Sequence, residues 1–262
     1  MVIIMGLPMV DIHSHILPDV DDGSKNSSES LLMLKVAISE GIHTIVATPH
    51  YNYTYVNEKS KILEEVKKLG QMIKENDLKI EVLPGQEVRI YGELLADYEA
   101  GKLLTVADNN SYMLVEFPFS RVPLYAKRVL YDLEVVGVKP IIAHPERNGE
   151  ILMHPERLSN MVAKGALTQL TAASLMGYFG KKIQKFSHQL IKANLVHTIA
   201  TDTHSLSNRA FNLNEAYKVI GSKYGEDYVA YFKENAQLVV EGKPVYCGKP
   251  QPVGRKKFFG IF

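Results

Sequence analysis

The sequence has a single cysteine, Cys247, so it can form neither an internal disulfide nor a metal site built from several thiolates. It also lacks an excess of charge, with 30 Lys and Arg against 29 Asp and Glu, which disfavours nucleic acid as a main partner. Its apolar runs, such as residues 2–5, are too short to cross a bilayer, and the start lacks the features of a secretion signal. These absences predict a cytoplasmic protein with no transmembrane segment that binds no nucleic acid.

Short apolar runs alternate with amphipathic segments along most of the 262 residues. Seven runs are typical of strands, at 10–12, 43–47, 80–83, 113–115, 140–143, 167–170 and 196–200. Helical patterns separate and follow them, at 26–41, 58–76, 92–100, 124–136, 155–164, 181–193 and 208–220. Repeated strand and helix units predict a parallel sheet, and an uninterrupted series favours an α/β fold closed into a seven-stranded barrel. An open doubly wound sheet is the alternative, although no glycine-rich loop follows the first strand.

Side chains that ligate metals follow six of the seven predicted strands. They are His13, His15 and Asp22 after the first strand, His50 after the second, Glu87 after the third, Glu116 after the fourth, His144 after the fifth, and Asp202 and His204 after the seventh. The strands of a parallel barrel open on one face at their carboxyl ends, so these nine side chains would share one cleft. So many carboxylates and imidazoles are costly together unless cations neutralise them. The donor set suits two or three divalent manganese, iron or zinc ions.

Each motif alone has a structural explanation, since residues 19–23 could form a solvated turn and His50 and His144 could be loop histidines. A calcium loop starting at Asp19 fails because Gly23 falls where an oxygen ligand is needed. It is the conjunction of ligand types after six strands that indicates a metal site. Four histidines lie before or inside predicted elements and are assigned to packing or to the surface: His43, His154, His188 and His197.

The motifs together resemble the PHP (polymerase and histidinol phosphatase) superfamily. They are Asp11-Ile12-His13-Ser14-His15, Asp21-Asp22-Gly23, Ala47-Thr48-Pro49-His50, Pro84-Gly85-Gln86-Glu87, His144-Pro145-Glu146-Arg147 and Asp202-Thr203-His204. More closely, they are similar to bacterial manganese-dependent tyrosine-protein phosphatases of capsule and exopolysaccharide loci. The resemblance implies a distorted, TIM-like barrel of the PHP type that holds three metals, with manganese first and iron or zinc as alternatives.

The same resemblance implies how the ligands divide among the three metals. The first metal would take His13, His15, Glu87 and Asp202. Glu87 would bridge to the second metal, which Glu116 and His144 would complete. The third would take Asp22, His50 and His204.

Two arginines and three tyrosines extend the predicted site. Arg147 lies inside a ligand motif and Arg209 lies shortly after His204, and both resemble arginines that grip phosphate; a surface ion pair is the alternative for each. Tyr51, Tyr53 and Tyr55 follow His50 and would rim the pocket, stacking against a phosphotyrosine ring, unless they are ordinary exposed loop residues.

We interpret residues 9–248 as one metallophosphatase domain. Residues 1–8 are expected to be a dispensable extension or a mis-assigned start. Residues 249–262 form a basic and aromatic tail, which is expected to be frayed but could mediate peripheral association with a membrane-associated kinase or acidic lipid.

Three functions compete at this point. The resemblance favours a protein-tyrosine phosphatase that acts on a phosphorylated bacterial tyrosine kinase and so regulates polysaccharide synthesis. A small-molecule phosphatase of the histidinol phosphate type is the second possibility. A non-catalytic regulator that binds the kinase is the third, and the complete ligand set argues against it.

Overall fold

The computed structural model describes residues 8–207 and 209–254, and this part contains nine strands. They are β1 (Met9–Ser14), β2 (Ile42–Ala47), β3 (His50–Tyr51), β4 (Glu81–Pro84), β5 (Glu87–Arg89), β6 (Tyr112–Glu116), β7 (Lys139–Ala143), β8 (Leu167–Thr171) and β9 (Thr198–Ala200). All seven predicted strands are present within a residue or two of their expected bounds. The two additional strands, β3 and β5, are short.

The strands form two sheets in which every neighbouring pair is parallel. The order is β1-β2-β4 in the three-stranded sheet and β3-β5-β6-β7-β8-β9 in the six-stranded sheet. The prediction of an α/β protein with parallel sheets is therefore confirmed.

Two interruptions explain why nine strands appear where seven were predicted. Thr48 and Pro49 separate β2 from β3, and Gly85 with the following residue separates β4 from β5. A Cβ at Gly85 would lie 2.7 Å from Val46 Cγ1, so the chain passes here too close to β2 for any larger residue. The amide of Glu87 then donates to the carbonyl of Pro49 at 3.1 Å, and this hydrogen bond joins the start of β5 to the start of β3.

The first and last strands meet at a junction between β1 and the segment that follows β9. The amide of His15 donates to the Thr203 carbonyl, and the amide of Asp202 donates to the His13 carbonyl, each at 2.9 Å. The buried Asp11 carboxylate also accepts the Thr201 amide at 3.0 Å. The β1–β9 junction therefore brings both ends of the strand series together.

Six of the seven predicted helices lie within two residues of their expected bounds, whereas the one expected at 208–220 spans Leu213–Tyr224. Ten helices of the described residues cover the sheets. They are α1 (Ser27–Ser39), α2 (Lys59–Glu75), α3 (Leu94–Glu99), α4 (Ala126–Val135), α5 (Gly149–Met153), α6 (Glu156–Val162), α7 (Ala172–Met176), α8 (Lys181–Lys192), α9 (Leu213–Tyr224) and α10 (Glu226–Val240), with 3₁₀ turns at Val106–Asp108 and Pro145–Arg147. Asn26 caps α1, since its side-chain oxygen accepts the Glu29 amide at 3.0 Å. Three helices, α5, α7 and α10, were not predicted.

Apolar side chains from both faces of the strands form the core. A large cluster packs the strands against the helices, while a smaller one includes Val10, Ile12, Leu114 and Ile141 and receives Val239 of α10. Burial of this apolar surface away from the strand ends stabilises the scaffold independently of the polar side chains described below.

The two predicted terminal segments lie largely outside the described residues, which exclude residues 1–7 and 255–262. The described start of the tail packs against the end of α8, where the Gln251 amide donates to the Ala193 carbonyl at 2.8 Å. In residues 8–207 and 209–254, no helix has both the length and the apolar character needed to span a membrane.

Candidate metal centre

All nine predicted ligand residues come together at the carboxyl ends of the strands. Most are almost completely buried, whereas the side chains of Asp22 and His50 are 49% and 14% exposed. The Asp22 loop lies close to the cluster because Gly23 packs directly against His15, the residue after β1. A Cβ on Gly23 would lie 2.1 Å from the His15 carbonyl oxygen. The cluster is therefore open to solvent on the side of the Asp22 loop.

The ligand atoms form three overlapping sets, within each of which they lie within 4.8 Å of one another. The first set is His13, His15, Glu87 and Asp202; the second is His50, Glu87 and Glu116; the third is His15, Asp22, His50 and His204. His144 adjoins the second set, with Nε2 2.7 Å from Glu87 Oε1 and 3.8 Å from Glu116 Oε1. The expected division differs in detail, because His15 and His50 each belong to two sets.

Several imidazoles are held by a partner on the ring nitrogen that faces away from the cluster. His15 Nδ1 lies 2.7 Å from Asp21 Oδ2, and His13 Nδ1 lies 2.8 Å from Gln169 Oε1. Their Nε2 atoms consequently converge to 3.3 Å from each other. Such partners fix ring orientation in metal sites, so the arrangement suits a shared cation.

Asp21 and Gln169 were not among the predicted site residues. Burial by itself would raise the pKa of the Asp21 carboxyl. The neighbouring His15 outweighs burial, together with hydrogen bonds from the His50 and Gly23 amides, and the pKa of Asp21 falls to about 2. Asp21 is therefore an anion that supports His15. Its position beside Asp22 in the motif was a usable signal, whereas Gln169, inside a predicted strand, offered none.

Buried charge sets the electrostatics of the cluster. Burial and the neighbouring Glu87 raise the pKa of Glu116 to about 7, and burial and Arg147 lower the pKa of His144 to about 4. Burial would lower the pKa of His50, yet Glu87, with Asp22, raises it to about 9. These opposed shifts reflect ionisable groups packed more closely than their own charges can balance.

Buried ligand atoms without a hydrogen bond test whether the cluster suits a cation. Glu87 Oε2, Asp202 Oδ1 and His204 Nε2 are buried and make no hydrogen bond within the described parts of the chain, and their nearest charged partners are other ligand-type side chains. Buried polar atoms normally have partners, and a divalent cation would satisfy several of these at once. The donor atoms therefore fit metal ions.

Arg147 and Arg209 lie at the edge of the cluster, and both contact the same oxygen of Asp202. Arg209 Nη2 lies 2.6 Å from Asp202 Oδ2, and Arg147 Nη1 pairs with that atom as well. The other oxygen, Oδ1, lies 3.5 Å from Nε2 of His13 and of His15. Asp202 thus joins the ligand cluster to two guanidinium groups.

Aromatic rings surround the Arg147 guanidinium. Its central carbon lies 5.2 Å from the centre of the Phe119 ring and 4.9 Å from that of Phe179. Cation–π contacts of this kind hold an arginine in place without consuming its N–H donors. Neither phenylalanine was predicted to belong to the site, since both lie in loops without a motif.

The three predicted rim tyrosines differ in position. Tyr55 lies almost parallel to the His50 ring, with centroids 6.0 Å apart, and Tyr53 is 96% exposed. Tyr51 packs on the core and pairs with Tyr91, with ring centroids 6.2 Å apart. Tyr55 is therefore the rim tyrosine nearest the ligand cluster.

The four histidines assigned to packing or surface lie outside all three sets. His43 and His154 are exposed, and His188 pairs with Tyr224 at 2.8 Å. His197 is buried between strands, where its Nδ1 accepts the Thr168 amide at 3.0 Å.

The fold and this cluster define a parallel α/β protein with a candidate multinuclear metal centre at its strand ends. The chain belongs to the capsular polysaccharide synthesis family CpsB/CapC, whose family model matches residues 9–241. This membership confirms the predicted resemblance to phosphatases of capsule loci.

Named relatives extend along nearly the whole chain. Tyrosine-protein phosphatase YwqE of Bacillus subtilis (strain 168) is 44% identical over 255 residues, covering 97% of this chain and 100% of that protein. Tyrosine-protein phosphatase CpsB of Streptococcus pneumoniae is 30% identical over 223 residues, covering 83% of this chain and 91% of that protein.

Solved structures agree with these relationships. A chain from the crystal structures of YwqE and CpsB, described as unique metal-dependent tyrosine phosphatases, is 44% identical and matches with a TM-score of 0.92, covering 94% of this chain and 100% of that one. A β-aspartyl dipeptidase from Fervidobacterium islandicum, 12% identical, shares the fold with a TM-score of 0.52, covering 89% and 72%.

Proposed function

We propose that this chain is a metal-dependent protein-tyrosine phosphatase. The observation that carries the proposal is the contact of two arginines with Asp202, at the edge of nine convergent ligand-type side chains. Family membership and relatives named tyrosine-protein phosphatases support the same activity.

We further propose that the cluster holds three divalent cations, with manganese first and iron or zinc as alternatives. The three overlapping sets would hold one ion each, with His144 completing the second. When bound, such ions polarise phosphoryl oxygens and make a water nucleophilic near neutral pH. The absence of thiolates among the donors supports a hard or intermediate metal.

The residues of the chain bind and orient the phosphate. Arg147 and Arg209 each offer planar pairs of N–H donors that match phosphoryl oxygens. Asp202 orients both guanidiniums through Oδ2, while Phe119 and Phe179 limit the movement of Arg147. Donors fixed before the reaction stabilise developing charge without reorganisation.

The leaving group fits a phosphotyrosine ester. A phenolate has a pKa near 10, so its departure needs less help from a general acid than an alkoxide does. The mechanism therefore assigns no obligatory proton donor. Tyr55, stacked beside His50, supports the aromatic ring at the rim.

The substrate is proposed to be a phosphorylated bacterial tyrosine kinase of the polysaccharide synthesis machinery, met in the cytoplasm. Residues 249–262 are proposed to assist peripheral association, although residues 255–262 lie outside the described structure. The β1–β9 junction also supports closure of the strands into a seven-stranded TIM-like barrel rather than an open sheet.

A manganese-dependent turnover assay tests the function by comparing a phosphotyrosine peptide with histidinol phosphate. We expect a higher kcat/KM for the peptide. Preference for histidinol phosphate would favour the small-molecule phosphatase, and no turnover of either with metal bound would favour a non-catalytic regulator.

A further inference from the structure

Arg89 is a third arginine at the edge of the cluster and was not among the predicted site residues. It lies two residues after Glu87 in β5, so both side chains lie on the same face of that strand. Its Nε lies 2.8 Å from Glu116 Oε2, and its guanidinium carbon lies 5.8 Å from the centre of the Phe119 ring. Phe119 therefore contacts both Arg89 and Arg147.

Arg89 also lines a cavity of about 230 Å³ next to the cluster. The other lining residues are Tyr51, Asn52, Tyr53, Val56 and Tyr91. Arg89, in the wall of the cavity, contacts Glu116 of the second ligand set, so the cavity adjoins the cluster. Its walls are mainly aromatic and aliphatic, with one positive charge.

Arg89 has N–H donors beyond the one that faces Glu116. Within the described residues its one ion pair is with Glu116, through Nε, and its side chain is 25% exposed. A guanidinium has five N–H donors, so several remain for a ligand that enters the cavity. Glu116 also belongs to the second ligand set, which divides its negative charge between Arg89 and the metal centre.

We propose that this cavity is a subsite for an acidic residue next to the phosphotyrosine of the substrate, an inference that rests on the proposed function. The carboxylate pairs with Arg89, and the methylene groups of a glutamate pack against Tyr51 and Tyr91. A purely apolar residue would cover the guanidinium without giving it a partner, and a basic residue would be repelled.

Matched phosphotyrosine peptides test the subsite, with Glu or Gln placed immediately before or immediately after the phosphotyrosine. We expect the wild-type enzyme to have about tenfold higher kcat/KM for the Glu peptide than for the Gln peptide at one of these positions. This ratio corresponds to the lower end of the range for a hydrogen bond between charged groups. The ratio is measured within each variant, so a general loss of activity transmitted through Glu116 cancels.

In Arg89→Gln the Glu-to-Gln ratio should fall to about one, and Arg89→Lys should retain part of it. Arg121→Gln, which removes an exposed arginine two residues after Phe119, is the matched control and should keep the full ratio. Equal rates on both peptides in wild type, or an unchanged ratio in Arg89→Gln, would overturn the subsite. Wild-type turnover of p-nitrophenyl phosphate without turnover of any peptide would overturn the proposed protein substrate and the subsite with it.

Discussion

Asp202 shows how much of the site depends on a single residue. One carboxylate oxygen faces two imidazoles and the other holds two arginines. Its backbone has a φ of 52°, and that of His144, which follows β7, has a φ of 32°. Both conformations are uncommon for residues other than glycine, so the surrounding structure holds these side chains at some energetic cost.

The first prediction separates the phosphate grip from the metals. Arg147→Ala should lower kcat/KM on a phosphotyrosine peptide by about one to three powers of ten, because each lost bond to a charged group is worth roughly 1.5 to 3 kcal/mol. Arg147→Lys should recover part of the loss, since an ammonium lacks the planar pair of donors. Steady-state kinetics with metal analysis measures both, and Arg128→Ala on the exposed face of α4 is the control. Wild-type kcat/KM in Arg147→Ala with metals retained would remove Arg147 from the site.

The second prediction concerns Glu87, which belongs to two ligand sets. Glu87→Gln keeps the side-chain shape but removes the negative charge that offsets two cations. Activity should fall to near background with reduced metal content, while circular dichroism stays unchanged because the apolar core is separate. Glu81→Gln, an exposed position on β4, should behave as wild type. Full metal content together with normal turnover in Glu87→Gln would refute the assignment.

At the scale of elements, the sequence predicted the seven principal strands because their short apolar runs are bounded by clear breaks. It did not predict that β2 and β4 each restart after an interruption, because β3 and β5 are two and three residues long and have no periodicity of their own. It also missed α10, whose apolar positions Phe232, Ala236 and Val239 follow helical spacing at the end of the chain.

The ligand residues were predictable because each follows a predicted strand, and topology alone brings the ends of parallel strands together; in the structure four of them lie within strands, His13 in β1, His50 in β3, Glu87 in β5 and Glu116 in β6. Supporting residues were not, since their roles depend on side-chain contacts between distant segments. Gln169 meets His13 across 156 residues, and Arg89 meets Glu116 across two neighbouring strands. No local pattern marks such pairs.

The third prediction concerns the pH dependence of the free energy of unfolding that comes from His197, the residue just before β9. Burial, and secondarily Lys139, lowers the pKa of His197 to about 4. The unfolded chain takes up a proton near pH 6.5, whereas the folded chain resists it until about pH 4, so stability is lost as pH falls through this window. From pH 7 to pH 5 this group should cost about 2 kcal/mol of unfolding free energy.

Urea unfolding at pH 7 and pH 5 measures this effect. His197→Asn retains an acceptor for the Thr168 amide but does not titrate, so its loss of stability between the two pH values should be smaller by that amount. His43→Asn, at an exposed position, should show the wild-type difference. An identical pH difference in His197→Asn and wild type would contradict the prediction.

For the whole molecule, the fourth prediction links metal content to thermal stability. An ion that binds the folded cluster and not the unfolded chain stabilises by about 2.7 kcal/mol at a hundredfold excess over Kd. For a chain of this length, each such ion raises Tm by roughly 5 to 11 °C. Thermal unfolding with excess manganese and with a chelator measures it, and Glu87→Gln should show a smaller rise. An unchanged Tm in wild type would mean that the ions do not bind the native cluster.

The β1–β9 junction has a consequence for how the protein is made. Its hydrogen bonds join residues as far apart as Asp11 and Thr201, separated by 190 positions. During synthesis His13 and His15 leave the ribosome about 190 residues before Asp202 and His204. A growing chain therefore carries isolated imidazoles and carboxylates long before they can enclose an ion together. Phosphatase activity should appear only after residue 204 has been translated, and a truncated product ending before residue 200 should be inactive however well its first strands have folded.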